Sequence, residues 1–433
     1  MIERFLAPSI RRVEYPWGGL LAQAAEAKGA RINATLGVFL DDELRIGIVP
    51  AVSSRVSLER SQITEYAPSH GVLALRQLWR QRLVDLGHID ERCAHQMSQP
   101  IVSAGLTAGL SLAGQMFLEP RASELVLSDP CWPNYELMFR DIQHTALQPF
   151  PMFTEGNAGP RKSDTAAMVQ ALDRSARSVA QDLPLVVLLN TPHNPTGYSY
   201  TNEEATSVVK ALQDFLQRHP QRRLVVIIDD AYSGFVFEDS VRTRSLLRDL
   251  ADLDERLLAV HISGATKEIY AWGLRVGFVT FAGKSRTQED LRFLEDKAAA
   301  FVRGTLSNVS MLSQHLAIET LRDPSTAATH RDYESLMKAR YLRCRKELER
   351  PDVSAHFEAL PFNSGYFFAL KLRDDKIDAE VLRKALLEKH SAGVITIGKN
   401  LVRIAFSAIT VHQVSTLFDA LVSTVQELVT SAP

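Results

Sequence analysis

Lys267 closes the segment Ser263-Gly264-Ala265-Thr266-Lys267, directly after the apolar run Leu257–Ile262, and Arg275 follows eight residues later, across Gly273. Two earlier apolar runs end in equally polar segments. Leu185–Asn190 leads into Asn194-Pro195-Thr196-Gly197, and Leu224–Ile228 into Asp229-Asp230-Ala231-Tyr232. Successive runs of one kind thus deliver an amide, a carboxylate with a phenol, and an amine with a guanidinium. Lysine is the side chain whose amine forms an imine with a carbonyl. A carboxylate can hold a pyridine nitrogen protonated, so that the ring accepts the electrons of a carbanion. Phenol and amide donate to a phenolate oxygen, and an arginine beside a helix N-terminus holds a phosphate. Pyridoxal phosphate needs all of these groups.

The elements that must position them form an alternation. Ile101–Ala104, Leu125–Leu127, Leu185–Leu189, Leu224–Ile228, Leu257–Ile262 and Val276–Phe281 read as strands, and continuous apolar runs of this length fit strands buried on both faces. Helical patterns lie between them at Thr107–Phe117, Ser163–Ala180 and Asn202–Gln217; the last aligns Val208, Leu212, Phe215 and Leu216 on one stripe. The pattern predicts an α/β fold, a large domain with a mostly parallel sheet between helices, at residues 50–323. The remainder has an α+β rhythm. Helices are expected at Leu20–Lys28, Asp332–Arg350, Asp378–Lys389 and Val411–Val429, and strands at Tyr366–Leu372, Val394–Ile397 and Val402–Phe406. Residues 1–49 with 324–433 are expected to form a smaller α+β domain built from both chain ends.

Composition narrows the function classes. The 433 residues carry 49 Lys+Arg against 51 Asp+Glu, a formal net charge of −2, with 45% hydrophobic and 23% charged residues. A nucleic-acid binder would more often carry a basic excess. GxGxxG, P-loop, HExxH and GxSxG motifs are absent. Cys93, Cys131 and Cys344 are odd in number and widely spaced, which suits a reducing compartment and no metal. No apolar run approaches the roughly 20 residues of a spanning helix, and the N-terminal MIERFLAPSIRR does not read as a signal peptide. A cytoplasmic location is expected.

With these motifs in order, the chain resembles the class I/II aminotransferases, fold-type I pyridoxal-phosphate enzymes, and especially their aspartate aminotransferase branch, from Asn33 to Phe406. The resemblance implies that Lys267 forms the imine with the cofactor and later shuttles the substrate Cα proton. It implies that Asp229 pairs with the pyridinium nitrogen, that Tyr232 and Asn194 bond the phenolate oxygen, and that Arg275 binds the phosphate. In Ser103-Ala104-Gly105-Leu106-Thr107, the amides of Leu106 and Thr107 and the Thr107 hydroxyl would complete the phosphate cradle. Trp132, in Asp129-Pro130-Cys131-Trp132-Pro133, would stack on the pyridine ring. Arg403, in Leu401-Val402-Arg403-Ile404-Ala405-Phe406, would grip the substrate α-carboxylate, with the backbone of Gly37 close by. Tyr66, five residues before Gly71, and Arg303, in Phe301-Val302-Arg303-Gly304-Thr305-Leu306, would reach the site of a partner subunit. The former would touch the phosphate, the latter a distal substrate carboxylate. A homodimer with shared active sites follows, acting on an L-amino acid and a 2-oxo acid, with glutamate/2-oxoglutarate or aspartate as one pair.

Two positions depart from that branch. Gly264 stands where a serine is often found, with Ser263 beside it as a substitute hydroxyl, and Tyr135 stands where a histidine supports the aspartate. The motifs set up carbanion formation and leave its fate open, so elimination or oxidative deamination on the same scaffold is the alternative. A non-catalytic ligand sensor is disfavoured by Lys267. His193 and Cys131 are expected to be packing residues.

Overall fold

The structure is a computed structural model, and it describes residues 5–7, 9–10, 13–14, 16, 18–54, 58–155 and 161–431. Much of the N-terminal stretch read above as lacking a signal peptide lies outside the described residues.

Seven strands form the larger sheet, in the spatial order Ile101–Ser103, Gly277–Ala282, Leu257–Gly264, Leu224–Asp229, Leu185–Asn190, Glu124–Asp129, Ala146–Pro151. Gly277–Ala282 runs antiparallel to both neighbours and the other pairings are parallel. The strands Leu185–Asn190 and Leu224–Asp229 are buried at every position. Helices on the two faces exclude water from both, which explains the absence of alternation. Helix starts are marked by side-chain caps. Thr201 and Glu204 form a reciprocal capping box at Asn202–Arg218, whose buried stripe is Ala205, Val208, Leu212, Phe215 and Leu216. Asp164 caps Thr165–Ser178 one way, its side chain accepting from the Ala167 amide.

Neighbouring strands are also consecutive in sequence where it matters. Asn190 is in register with Asp229, and Asp229 with Ile262. The C-terminal ends of Leu185–Asn190, Leu224–Asp229 and Leu257–Gly264 therefore fall along one edge. Ligands of open α/β sheets gather at such an edge.

A second, four-stranded antiparallel sheet orders Ile395–Ile397, Leu401–Ala405, Phe367–Leu372 and Phe357–Ala359. Its core joins the chain ends: Ile32, Ala34 and Phe39 pack with Tyr341, Phe368, Ile404 and Phe418. Ile32–Asn33 adds a short parallel pairing with Ala392–Gly393. The helix expected at Asp332–Arg350 runs instead over Pro324–Leu348. Asp323 caps it and Pro324 opens it, yet its first buried residue is Met337, so its first turns carry no apolar stripe to read.

Candidate active site

A cavity of about 370 Å³ opens at the shared strand edge. Lys267, Asp229, Tyr232, Asn194, Arg275, Leu106, Thr107, Trp132, Gly37 and Arg403 all line it. Sequence order becomes spatial proximity here because three parallel neighbours end together.

Lys267 lies in the short turn Ala265–Glu268 that follows its strand. Its Nζ is 4.1 Å from the centroid of the Tyr232 ring. Burial pushes the amine down to about 8; the Asp229 charge opposes that shift and Arg275 adds to it. A larger share of the amine is thus unprotonated near neutral pH than in a free lysine, although the ammonium still predominates below that value. Asp229 ends its strand fully enclosed, and burial holds its carboxyl above the usual range. Three groups pull it back: the Tyr135 hydroxyl donates to Asp229 Oδ2 at 2.5 Å, Lys267 supplies positive charge, and the Ala231 amide donates to Oδ1 at 3.2 Å. Tyr135 itself is pushed well above the usual phenol range, first by burial and then by the Asp229 charge. It stays a neutral donor, so the departure from histidine keeps a hydrogen bond to the aspartate.

Asn194 is locked by its backbone, its amide donating to Asn190 Oδ1 at 2.8 Å, while Asn190 Nδ2 donates to the Asp229 carbonyl at 3.0 Å. Asn194 Oδ1 accepts from Arg403 Nη1 at 3.2 Å. Arg403 Nη2 donates to the Thr35 carbonyl at 2.9 Å, and the guanidinium lies 4.3 Å over the Phe367 ring. Burial pushes Arg403 down to about 10, with Tyr232 opposing, and its Nε has no partner among the described residues. Gly37 fits tightly: a Cβ there would sit 2.7 Å from Phe367 Cζ and 3.2 Å from the Tyr232 hydroxyl.

At the other end of the cavity, Leu106 opens the helix Leu106–Phe117 behind Gly105, whose φ is +81°. A Cβ at Gly105 would come within 2.4 Å of Arg275 Nη2, so the glycine lets the guanidinium lie against the helix N-terminus. Free amides, helix dipole and arginine make an anion cradle there.

The remaining expectations divide. Ser263 does not take over for the missing serine. Its Oγ accepts from Trp79 Nε1 at 3.0 Å, in the core, and it does not line the cavity. Gly264 has no room for a side chain either: a Cβ would meet Leu106 Cδ1 at 2.6 Å and the Val276 carbonyl at 3.0 Å. Tyr66 and Arg303 do not line the cavity of their own chain. Tyr66 is 87% exposed, and Arg303 donates to Ser307 Oγ at 2.9 Å on the surface. Ser69, near Tyr66, donates to Asn308 at 2.9 Å, which ties the two segments together. His193 is a satisfied core residue, bonded to Ser128 and Thr196 and pushed down to about 4 by burial. Cys131 is pushed up to about 12 by burial, so its thiol is inert.

Sequence reasoning missed Thr35, Asn190, Phe367 and Trp272, which line the same cavity. Asn190, a lone amide ending an apolar run, was the readable signal. Phe367 lies in an apolar strand, where nothing marks it. Among the described residues, no cluster suits a metal ion and no helix is long and apolar enough to cross a membrane.

Residues 32–421 match the family described as aminotransferase class I and II. The probable aspartate/prephenate aminotransferase of Aquifex aeolicus (strain VF5) is 23% identical, over 77% of this chain and 75% of its own. The cytoplasmic aspartate aminotransferase of Schizosaccharomyces pombe is 22% identical, over 73% and 74%. In fold, the chain is similar to an aminotransferase from Anaerococcus prevotii, with a TM-score of 0.82 at 23% identity, covering 96% of this chain and 99% of that one. It is also similar to the aspartate aminotransferase of Thermus thermophilus, with a TM-score of 0.73 at 18% identity, covering 97% and 99%. The strand-edge lysine, aspartate and arginines thus sit within a match that spans nearly the whole chain, and the protein belongs to the class I and II aminotransferases, enzymes that transfer amino groups.

Proposed function

We propose that this enzyme holds pyridoxal 5′-phosphate in the cavity around Lys267 and moves an amino group between an L-amino acid and a 2-oxo acid. The observation that carries the reading is the convergence of Lys267, Asp229 and Arg403 on one cavity, with the lysine amine pushed down to about 8. The donor set fits the cofactor. Arg275, Thr107 and the amides of Leu106 and Thr107 suit its phosphate. Asp229 suits its ring nitrogen, Asn194 and Tyr232 its phenolate oxygen, and Trp132 its ring face. When bound, the cofactor supplies a carbonyl for the amine and a ring that accepts the electrons of the substrate Cα–H bond.

The chain's own residues do the rest. Arg403 orients the substrate by its α-carboxylate, in a bidentate grip that its planar fork suits. Asn194 and Thr35 hold that fork through neutral oxygens, and Phe367 backs it. Lys267 Nζ takes the proton from the substrate Cα and, as the ammonium, returns one. Its lowered pKa favours both directions near neutral pH.

Tyr66 and Arg303 stand on joined, exposed segments outside their own chain's cavity. That location supports a homodimer in which each chain completes its neighbour's site, Tyr66 at the phosphate and Arg303 at a distal carboxylate. Glutamate/2-oxoglutarate or aspartate would then be one substrate pair. The division into residues 50–323 and 1–49 with 324–433 belongs to the same proposal, as does a cytoplasmic location, which the free Cys93, Cys131 and Cys344 suit.

The test is a half-reaction. Holoenzyme is mixed with single amino acids and the absorbance of the lysine-bound cofactor is followed without an acceptor. Transamination converts the aldehyde form of the cofactor to the amine form. Release of a 2-oxo acid and ammonia with the aldehyde retained would instead establish elimination or oxidative deamination. Lys267→Ala should lose the lysine-bound absorbance; its survival would refute the assignment.

A further inference from the structure

A second cavity, of about 450 Å³, shares no lining residue with the first. It is nevertheless built from the same turns. Lys267 lines the first cavity and Glu268 the second; Tyr232 lines the first, Ser233 and Gly234 the second. Its volume lies within the ordinary range of small-molecule sites.

The charged groups lining this space are of both signs, Arg82 against the carboxylates of Glu268 and Asp323. Arg82 donates through Nε to Glu268 Oε2 at 2.7 Å, and its Nη2 lies 2.7 Å from the same oxygen. Among the described residues, Arg82 Nη1 and Glu268 Oε1 have no hydrogen-bond partner. Each charge therefore keeps one free bonding direction. His88 Nδ1 accepts from the Ser245 amide at 2.9 Å, so its proton sits on Nε2, 3.3 Å from Ser233 Oγ. His330 stacks on Phe235, with ring centroids 5.5 Å apart. Burial lowers the pKa of both histidines, and each also senses the charges of Glu268 and Arg82. All four groups line the one cavity. Leu86, Leu321 and Ala327 add an apolar wall.

We propose that this cavity binds a free α-amino acid with an aliphatic side chain. The carboxylate is received by Arg82 Nη1 and the neutral donors His88 and Ser233, the ammonium by Glu268 Oε1, and the side chain by Leu86, Leu321 and Ala327. A phosphate is a poor occupant, because a dianion would have to sit in a space lined by both Glu268 and Asp323. A metal is also a poor one, since among the described residues no cluster of His, Cys, Asp or Glu suits it.

The inference rests on the transaminase reading only for the choice of protein to test. That protein is holoenzyme whose cofactor has been reduced onto Lys267 with borohydride, so that no amino acid can turn over. Calorimetry is run with L-leucine and L-valine, and with 4-methylpentanoate and isopentylamine, which each carry one charge. The amino acids should bind and the two single-charge analogues should bind at least about tenfold more weakly. Arg82→Gln and Glu268→Gln should each weaken amino-acid binding by about tenfold or more. Ala327→Phe, at an exposed helical position, should abolish it by filling the space without touching the ion pair. Arg403→Lys should leave it unchanged. Absence of binding, binding indifferent to Arg82→Gln and Ala327→Phe, or binding lost only with Arg403→Lys would overturn the proposal. Failure of the transaminase reading shows separately and earlier, as holoenzyme without lysine-bound cofactor absorbance.

Discussion

Replacing Tyr135 with phenylalanine removes a single hydroxyl, and the structure allows its effect to be worked out. That hydroxyl donates to Asp229 Oδ2 at 2.5 Å inside the protein, and both residues are buried. A hydrogen bond to a charged group contributes about 1.5–3 kcal/mol. Burial already holds the Asp229 pKa above the ordinary carboxylate value, and the Tyr135 bond is the largest of the contributions that lower it. Without the bond the pKa rises further, because the charged form loses its strongest donor. In the proposed site, Asp229 would pair with the cofactor nitrogen only as the anion. Cofactor affinity should therefore fall as pH drops through the Asp229 pKa, and in Tyr135→Phe that fall should begin at a higher pH. Below the new midpoint, the dissociation constant should be roughly 10- to 100-fold weaker than that of the unmodified chain at the same pH. The assay is titration of apoenzyme with pyridoxal phosphate at a series of pH values. Asp229→Ala provides the control: once the aspartate is gone, Tyr135→Phe should change nothing more. Tyr135→His restores a donor and should recover most of the affinity. Unchanged affinity across the pH series, or an equal loss in the Asp229→Ala background, would refute the claim that Tyr135 acts through Asp229.

Other perturbations follow from the same geometry. Because only the neutral Lys267 amine captures the cofactor and its pKa is pushed down to about 8, the capture rate of apoenzyme should rise about tenfold per pH unit below that value and level off above it; stopped-flow absorbance measures this. Arg403→Lys keeps the charge and loses the fork, so KM for amino acid and oxo acid should rise roughly 10- to 100-fold, with the cofactor absorbance unchanged. Gly197 has φ +74°, and a Cβ there would lie 1.9 Å from the Phe367 carbonyl oxygen. Gly197→Ala should therefore cost several kcal/mol, roughly 2–4, in a denaturant titration. Gly264→Ser, which restores the residue common in the aspartate branch, should weaken cofactor binding and stability by about 1–3 kcal/mol, because its Cβ meets Leu106 and Val276.

The site was legible where chemistry and chain order coincide. Asn194, Asp229 and Lys267 each follow a run of apolar residues, and those runs become adjacent parallel strands, so one pattern marked both the residues and their meeting place. Thr35 was not legible because it contributes a backbone carbonyl, which any residue offers. Phe367 was not, because a cation–π partner in an apolar strand reads as core. The Ser263 expectation failed on strand alternation. Successive side chains of Leu257–Gly264 face opposite sides of the sheet, and Ser263 faces Trp79. Nothing in the spacing of Ser263 and Gly264 identifies which of them faces the cofactor side. Tyr66 and Arg303 were named by resemblance alone; a surface tyrosine and a helix-end arginine carry no local sign of the role proposed for them in a second chain.

The near balance of 49 basic and 51 acidic residues conceals a local imbalance, and Arg403 explains why it matters. Other buried arginines are neutralised by carboxylates: Arg76 by Glu295, Arg340 by Asp42, Arg383 by Glu26 and Glu380. Arg222 is saturated by the carbonyls of Ala176, Val179 and Ala180, at the end of a helix. Arg403 has two neutral oxygens for its Nη groups and nothing for its Nε. An unpaired buried cation is costly to the folded chain. The cost has a use in a binding site, since an incoming carboxylate meets a guanidinium that no internal anion has already claimed. Lys267 and Arg275 line the same cavity, and Asp229 is the single carboxylate among its lining residues. Replacing the cation by a neutral side chain of similar length, as in Arg403→Met, removes that cost and keeps the packing on Phe367. It should leave the chain at least as stable in a denaturant titration while raising KM for every carboxylate substrate, an opposition that a merely structural arginine would not produce.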